Sequence, residues 1–467
     1  MAKTVHIAVV SSPGFSHLAP IIEFTKRLVK LHPNFHVTCI VPSLGSPPQS
    51  SIAYLKTLPS TIDSVFLPPI SKEQFPQGLY MGLQIQLTVT LSLPSIHEAL
   101  RSLSSKVRLT ALVADVFAFQ SLEIAKELHA LSYFYCPGSA MALSLVLQLP
   151  KLDEEVSGEF KDLVEPIKLP GCVPLWGVDL PAPTQNRSSE AYKSFLERAK
   201  AMIIADGMIM NTFLDLESGT IRALEESVNG KIKLYPVGPI TQKGSSNEDD
   251  ECLSLRWLDK QPPCSVLYVS FGSGGTLSQH QIDELALGLE LSGQRFLWVL
   301  RAPSNLPSAA YLETAEEDPL QFLPKGFLER TKEKGLVVAS WAPQVQILGH
   351  SSVGGFLSHC GWNSTLESVQ EGVPLITWPL FAEQRMNAVM LAEGLKVALR
   401  PRFNEDGIVE KEEIAKVIKC LMEEEIGKGM RERMRTLKDV AAHALQDGSS
   451  KQTLSRLTSE WENLSGN

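Results

Sequence analysis

Short, nearly continuous apolar runs alternate with longer stretches in which apolar residues recur every three or four positions. Runs of this length and Val/Ile content predict buried strands, and the recurring pattern predicts helices packed on them. In the first half, strands are predicted at Val5 to Val10, Phe35 to Val41, Ser64 to Leu67, Leu109 to Ala114, Tyr133 to Cys136 and Gly207 to Asn211. Helices are predicted from His17 to Leu31, Leu83 to Leu103, Phe119 to Leu131 and Ser189 to Ala201, with a Pro- and Gly-rich irregular stretch over residues 150 to 190. Leu234 to Ile240 and the polar residues 242 to 251 read as a linker. A second alternating unit follows, with strands at Ser265 to Phe271, Phe296 to Leu300, Leu336 to Ala339, Val353 to Leu357, Leu375 to Thr377 and Val397 to Leu399. Residues 306 to 322 have little periodicity, and residues 409 to 463 are helical by pattern.

A chain of 467 residues suggests two domains. Its 44% hydrophobic and 20% charged content is that of an ordinary globular protein. A net charge of −9 argues against a nucleic-acid partner. An anionic ligand must then be held by local N–H groups. Seven dispersed cysteines without metal spacing fit a reducing, cytoplasmic setting, and no apolar run is long enough to span a bilayer. The acidic run Glu248-Asp249-Asp250-Glu251 reads as a solvated loop rather than a metal site.

The stretch from Trp341 to Gln384 reads as strand, turn, helix, strand, with its polar residues at the carboxyl ends of the strands. Ligands bind there in a parallel α/β sheet. The turn Gly361 to Ser364 offers backbone N–H groups at a helix start, with donors on His359, Asn363 and Ser364, which suits a phosphate. Trp341, read as lying at the tip of a neighbouring strand, offers a flat face for a base. Glu367 suits ribose hydroxyls, and Glu383-Gln384 stand further along. Together these features describe a nucleotide-sugar site. The stretch resembles the donor-binding signature of the plant UDP-glycosyltransferases. Ser270-Phe271-Gly272-Ser273 and Pro13-Gly14-Phe15-Ser16-His17 extend the likeness over the chain. Val41-Pro42-Ser43, Leu169-Pro170-Gly171-Cys172 and Ala382-Glu383-Gln384-Arg385-Met386-Asn387 are similar to the hydroquinone (arbutin-synthase-like) glucosyltransferases.

The resemblance implies an α/β fold of two Rossmann-like domains facing a cleft, the GT-B architecture. Residues 1–240 would bind the acceptor and residues 241–445 the UDP-sugar, and residues 446–467 would form a helix crossing back to the first domain. The donor site would comprise Ser273, Trp341, Ala342, Gln344, His359, Trp362, Asn363, Ser364, Glu367, Glu383 and Gln384. Many members carry Asp where Glu383 stands. Phe15, Met81, Phe117, Phe119, Met141 and Leu180, apolar residues of the first domain, are candidates for an acceptor pocket that takes a flat aromatic.

His17 follows the first strand and Asp115 ends the fourth. In a sheet of order 3-2-1-4-5 those strands are neighbours at the switch point. A helix N-terminus disfavours cationic His17, and Asp115 can orient it as a general base. The expected reaction is one displacement: glucose passes from UDP-glucose to a hydroxyl of a small phenolic or other aromatic acceptor, giving a β-glucoside. Flavonoid or other acceptors, another UDP-sugar, and a non-catalytic nucleotide-sugar-binding regulator are the alternatives. No Asp-x-Asp pair is present, so neither metal nor cofactor is expected; UDP-glucose is the co-substrate, and the protein is expected to be a monomer without a membrane anchor. A phosphorylase would want a pyridoxal-binding Lys in the signature. A dehydrogenase would want Gly-x-Gly-x-x-Gly where Ser11 to Ser16 reads SSPGFS.

Overall fold

The computed structural model describes residues 4–76, 78–227, 231–242, 253–311 and 317–466. The acidic run at 248–251 and part of the 306–322 insertion lie outside them. The chain divides into two compact units: one of residues 1–178, 183–241 and 443–467, the other of residues 179–182 and 242–442.

The first unit is built on a seven-stranded sheet, β1 (Val5–Val10), β2 (Phe35–Val41), β3 (Ile62–Phe66), β4 (Leu109–Asp115), β5 (Leu131–Cys136), β6 (Gly207–Met210) and β7 (Lys233–Pro236). Its order is β3-β2-β1-β4-β5-β6-β7, all parallel. The central strands β1 and β4 are buried along their whole length because helices cover both faces. Ala8, Leu112 and Phe134 pack to one side with Val89 and Leu122. Ile7, Val113 and Tyr135 pack to the other with Ile21 and Leu457.

Two expectations fail here for identifiable reasons. The stretch read as the start of a linker is the edge strand β7. Pro236 is its last residue, and a proline without an N–H is tolerated at a sheet edge. Beyond it Ile240 is pinned by Asn211, whose amide bonds both its N–H (2.7 Å) and its carbonyl (2.8 Å). The irregular stretch begins later than read, because a helix Ala140–Glu155 runs on through Pro150. Glu217 accepts from the N–H groups of Ala140 (2.8 Å) and Met141 (3.0 Å) at that helix's start. Arg187 holds its far end, pairing with Asp153 (2.8 Å) and donating to the carbonyls of Val156 and Gly158.

The second unit contains a six-stranded parallel sheet, β8 (Val266–Ser270), β9 (Arg295–Leu300), β10 (Gly335–Ala339), β11 (Val353–Ser358), β12 (Leu375–Thr377) and β13 (Ala398–Leu399), in the order β10-β9-β8-β11-β12-β13. The helix Gln279–Ser292 and the helix Lys411–Glu423 pack together on this sheet, where Ile414 fills the space left by Gly288. The helix Glu425–Gln446 carries the chain back to the first unit. There the helix Ser449–Gly466 buries Leu454, Leu457 and Trp461 against the sheet. Among the described residues no helix is long and apolar enough to cross a membrane.

Candidate active site

In the first unit, β1 and β4 are paired side by side, which brings the segments leaving their carboxyl ends together. The helix after β1 starts at Phe15, two residues before the predicted start, because Gly14 (φ 101°) turns the chain in a conformation open to glycine. His17 therefore stands in the first turn of that helix. Its Nδ1 lies 2.9 Å from Asp115 Oδ2. The other carboxylate oxygen of Asp115 accepts from the Ser12 hydroxyl and from the Phe117 N–H (3.1 Å). Asp115 is fully buried. Burial alone would raise its pKa, but His17, Ser12 and the Phe117 N–H outweigh burial and hold the carboxyl below its ordinary range. A carboxylate facing Nδ1 places the imidazole proton there and makes Nε2 the accepting nitrogen. Ser12, absent from the sequence reading, is the second support of this carboxylate.

Of the expected acceptor residues, Phe117 meets His17 edge to face at 5.2 Å between ring centres, and Phe15 meets Tyr54 at 5.5 Å. Met81 begins the helix Met81–Ser104. Met141 is 1% exposed, and Phe119 belongs to the core between sheet and helices. Leu180 was placed in the first domain by sequence; it is fully buried in the second unit, where the adjacent Asp179 accepts from Arg400 at 2.8 Å. Sequence order misassigned it because residues 179–182 leave one unit for the other and return.

In the second unit the signature is held by turns after three strands. Ser340 (φ 62°) follows β10, Cys360 (φ 63°) follows β11 and Ala382 (φ 52°) follows β12. Left-handed conformations at non-glycine residues cost about 1 kcal/mol each and cluster at functional sites. Trp341, after the first of these turns, is 71% exposed. Its strand is not adjacent to β11, as the sequence suggested: β10 lies at the sheet edge, with β9 and β8 between. The loop after Trp341 makes the connection instead. Buried Ala342 leads into a short helix from which Gln344 donates to Ser364 Oγ (2.8 Å) and Glu367 Oε2 (2.7 Å). Burial pushes the Glu367 carboxyl up to about 7, against the lowering effect of Gln344.

His359 is 8% exposed and packs against two glycines. A Cβ would lie 2.4 Å from its Cε1 at Gly272 and 2.4 Å from its Nε2 at Gly361. Burial, then the charge of Arg301, lowers its pKa to about 3, so it is neutral at physiological pH. Its Nδ1 is buried without a hydrogen-bond partner. The helix predicted from Thr365 begins at Trp362, so the N–H groups of its first turn, from Trp362, Asn363 and Ser364, belong to the Gly361–Ser364 turn. Trp362 is 3% exposed, and Asn363 is more accessible. Ser273 is exposed in the turn after β8, while Thr276 is tied to the carbonyls of Pro307 and Leu306.

After β12, Glu383 caps the helix Gln384–Val389. The Gln384 carbonyl oxygen accepts from the N–H groups of Leu380 (2.8 Å) and Phe381 (3.0 Å), which leaves its NH₂ as the group able to meet a ligand. Asn387 donates to the Cys360 carbonyl (2.9 Å) and to Glu383 (3.3 Å), joining two of the strained turns. The sequence marked its motif but not this role. Arg301 was missed too. It directly follows β9, donates weakly to the Gly275 carbonyl (3.4 Å) and places its charge near His359. Among the described residues no group of three His, Cys, Asp or Glu could hold a metal ion.

Residues 256–438 match the family model described as UDP-glucoronosyl and UDP-glucosyl transferase. The chain is 50% identical over 466 residues to the hydroquinone glucosyltransferase of Rauvolfia serpentina, covering 99% of each, and 49% identical to UDP-glycosyltransferase 72B1 of Arabidopsis thaliana, covering 99% and 97%. Among solved structures it is similar to a Polygonum tinctorium UDP-glucosyltransferase capable of glucosylating indoxyl, in complex with 3,4-dichloroaniline (TM-score 0.92, 47% identity, 99% of each chain). It is also similar to Phytolacca americana UGT2 complexed with UDP-2fluoro-glucose and pterostilbene (TM-score 0.91, 46% identity, 98% and 100%). The chain therefore belongs to the UDP-glucosyl transferase family and is a UDP-dependent glycosyltransferase with the two-domain α/β fold of that family.

Proposed function

We propose that the protein transfers glucose from UDP-glucose to a hydroxyl of a small aromatic acceptor with inversion, giving a β-glucoside. The observation that carries this is the His17 Nδ1 to Asp115 Oδ2 contact of 2.9 Å, with the carboxylate buried and ionised. His17 Nε2 takes the acceptor hydroxyl's proton. The hydroxyl oxygen bonds to the anomeric carbon as that carbon's bond to the β-phosphate oxygen breaks, and the electron pair leaves with UDP. Asp115 stabilises the imidazolium as it forms. Trp341 carries the uracil, Glu367 the ribose hydroxyls, and the N–H groups of the Gly361–Ser364 turn with His359 the diphosphate. Fixed donors aimed at the departing oxygens do the work a divalent ion does elsewhere. The Gln384 NH₂ and Glu383 face the sugar. A small aromatic acceptor is supported by the names of the Rauvolfia serpentina relative and the Polygonum tinctorium complex.

Incubation with UDP-glucose and a panel of phenols, read by product mass, tests the activity. His17→Ala should reduce turnover about a thousandfold or more, as loss of a general base does, while UDP still binds in a calorimetric titration. Equal loss of both would place His17 in donor binding and overturn its role.

A further inference from the structure

We propose that Arg198 forms an anion-binding subsite of the acceptor pocket, which selects aromatic acceptors bearing a carboxylate and turns their hydroxyl toward His17. The inference rests on the acceptor reading above and names the acceptor's chemistry.

Arg198 lies on the helix Glu190–Met202, whose Tyr192, Phe195 and Met202 are buried. Its guanidinium sits 4.4 Å from the Phe117 ring centre and 5.0 Å from that of Phe195. Phe117 is the ring that meets His17 at 5.2 Å, so one side chain separates the proposed base from this cation. Nη1 donates to Gln86 Oε1 at 3.0 Å, an oxygen that also accepts from Ser194 Oγ at 3.0 Å. Gln86 is 5% exposed and neutral. Among the described residues Arg198 has no ion-pair partner.

Arg27 and Arg431 likewise donate to carbonyls, those of Leu445 and Leu421, whereas other arginines meet carboxylates. Arg187 pairs with Asp153, Arg330 with Glu290, and Arg400 with both Asp179 and Glu393. Acidic residues are also in excess, 52 against 43 basic ones. Asp115 carries a charge that Arg198 senses, yet its two oxygens are already engaged by His17, Ser12 and the Phe117 N–H. Burial pulls Arg198 down to about 10, opposed by Tyr80 and Asp115, and it remains a cation at physiological pH. A desolvated guanidinium stacked on aromatic rings, with one neutral acceptor and no carboxylate, suits a planar anion that brings its own ring. A hydroxybenzoate has that form. With its carboxylate on Arg198, its hydroxyl is the group left to reach His17. The new bond then forms from the hydroxyl oxygen to the anomeric carbon, UDP leaves with the electron pair, and the carboxylate emerges unchanged.

The test compares 4-hydroxybenzoate, its methyl ester and hydroquinone as acceptors with UDP-glucose, in wild type, Arg198→Met and Arg198→Lys. The readout is the ratio of kcat/KM for the acid to that for the ester within each protein, so a partly unfolded variant lowers both terms alike. Arg198→Met should lower that ratio about tenfold to a hundredfold, the scale of a lost charge-assisted hydrogen bond, and Arg198→Lys should retain part of it. The wild-type product from the acid should be the phenolic glucoside. A ratio unmoved in Arg198→Met, or a glucose ester as the main product, would overturn the subsite. No transfer to any of the three acceptors would overturn the small-phenol reading itself, and this inference with it.

Discussion

In the proposed donor site, the surroundings of Glu367 and Gln384 decide what each side chain can offer a ligand. Burial raises the Glu367 carboxyl from 4.5 to about 7. Its folded form thus holds a proton more tightly than its unfolded form. Its contribution to stability is full below the ordinary pKa and declines as pH rises toward 7. In the proposed donor site the sign is opposite, because ribose hydroxyls would donate to the ionised carboxylate. UDP affinity is expected to weaken as pH falls from about 8 to about 6, by up to roughly tenfold per unit below the raised pKa. Glu367→Gln should bind weakly with a flatter profile, since only UDP's own titration remains. Calorimetric titrations across that range check it; parallel profiles for the two proteins would remove Glu367 from ribose binding. The Gln384 side-chain oxygen is occupied by its own turn, so the amide cannot both accept from and donate to a sugar. In the proposed donor site its NH₂ alone would be left to meet the equatorial 4-hydroxyl of glucose. Gln384→Glu keeps the turn's acceptor and loses those donors. The kcat/KM preference for UDP-glucose over UDP-galactose should then fall by about tenfold. A preference that survives would move sugar recognition to Glu383.

At the scale of elements, the turns after β8 and β11 meet at His359. Gly272 has φ +71°, and a methyl there would strike the imidazole. Gly272→Ala should cost about 1–3 kcal/mol through combined backbone strain and displacement of the ring, and should weaken UDP binding as His359 moves. Gly293 is the control. Its φ is +67°, but its Cβ would meet only the Lys334 Nζ at 3.7 Å. Gly293→Ala should lower the melting temperature by strain alone and leave UDP affinity near wild type. If both variants bind UDP equally well, the Gly272–His359 contact does not shape the donor site.

For the whole molecule, the last residues complete the first unit's core. Trp461 is fully buried, edge-on to Tyr133 at 5.3 Å and near Phe35 at 6.1 Å. Beside it Glu460 pairs with Lys233 (2.8 Å) and accepts from Tyr235 (2.8 Å), and Asn34 donates to Glu462 (2.8 Å). Trp461→Ala should destabilise the protein by about 3–5 kcal/mol, the usual range for emptying a buried indole site. Thermal unfolding checks this, and a melting temperature unchanged within error would mean that the C-terminal helix is dispensable to that core.

The local pattern was enough to place most strands, because continuous apolar runs arise wherever both faces of a parallel sheet are covered. It also marked the proposed donor signature as one contiguous stretch, and the structure sets that stretch on local turns at Ser340, Cys360 and Ala382. The pairing of His17 with Asp115 was legible for a related reason: one follows β1, the other ends β4, and the parallel topology sets those strands side by side. Only the tertiary structure decided the rest. It showed β7 where Pro236 had suggested a break, because what an edge strand tolerates depends on its missing neighbour. It moved Leu180 into the second unit and carried Gln344 to Glu367 from a strand at the sheet's edge. It also showed that, among the described residues, Arg198 has a neutral acceptor and aromatic rings beside it but no carboxylate partner, which no spacing reveals, since a missing counter-ion depends on everything folded around a charge.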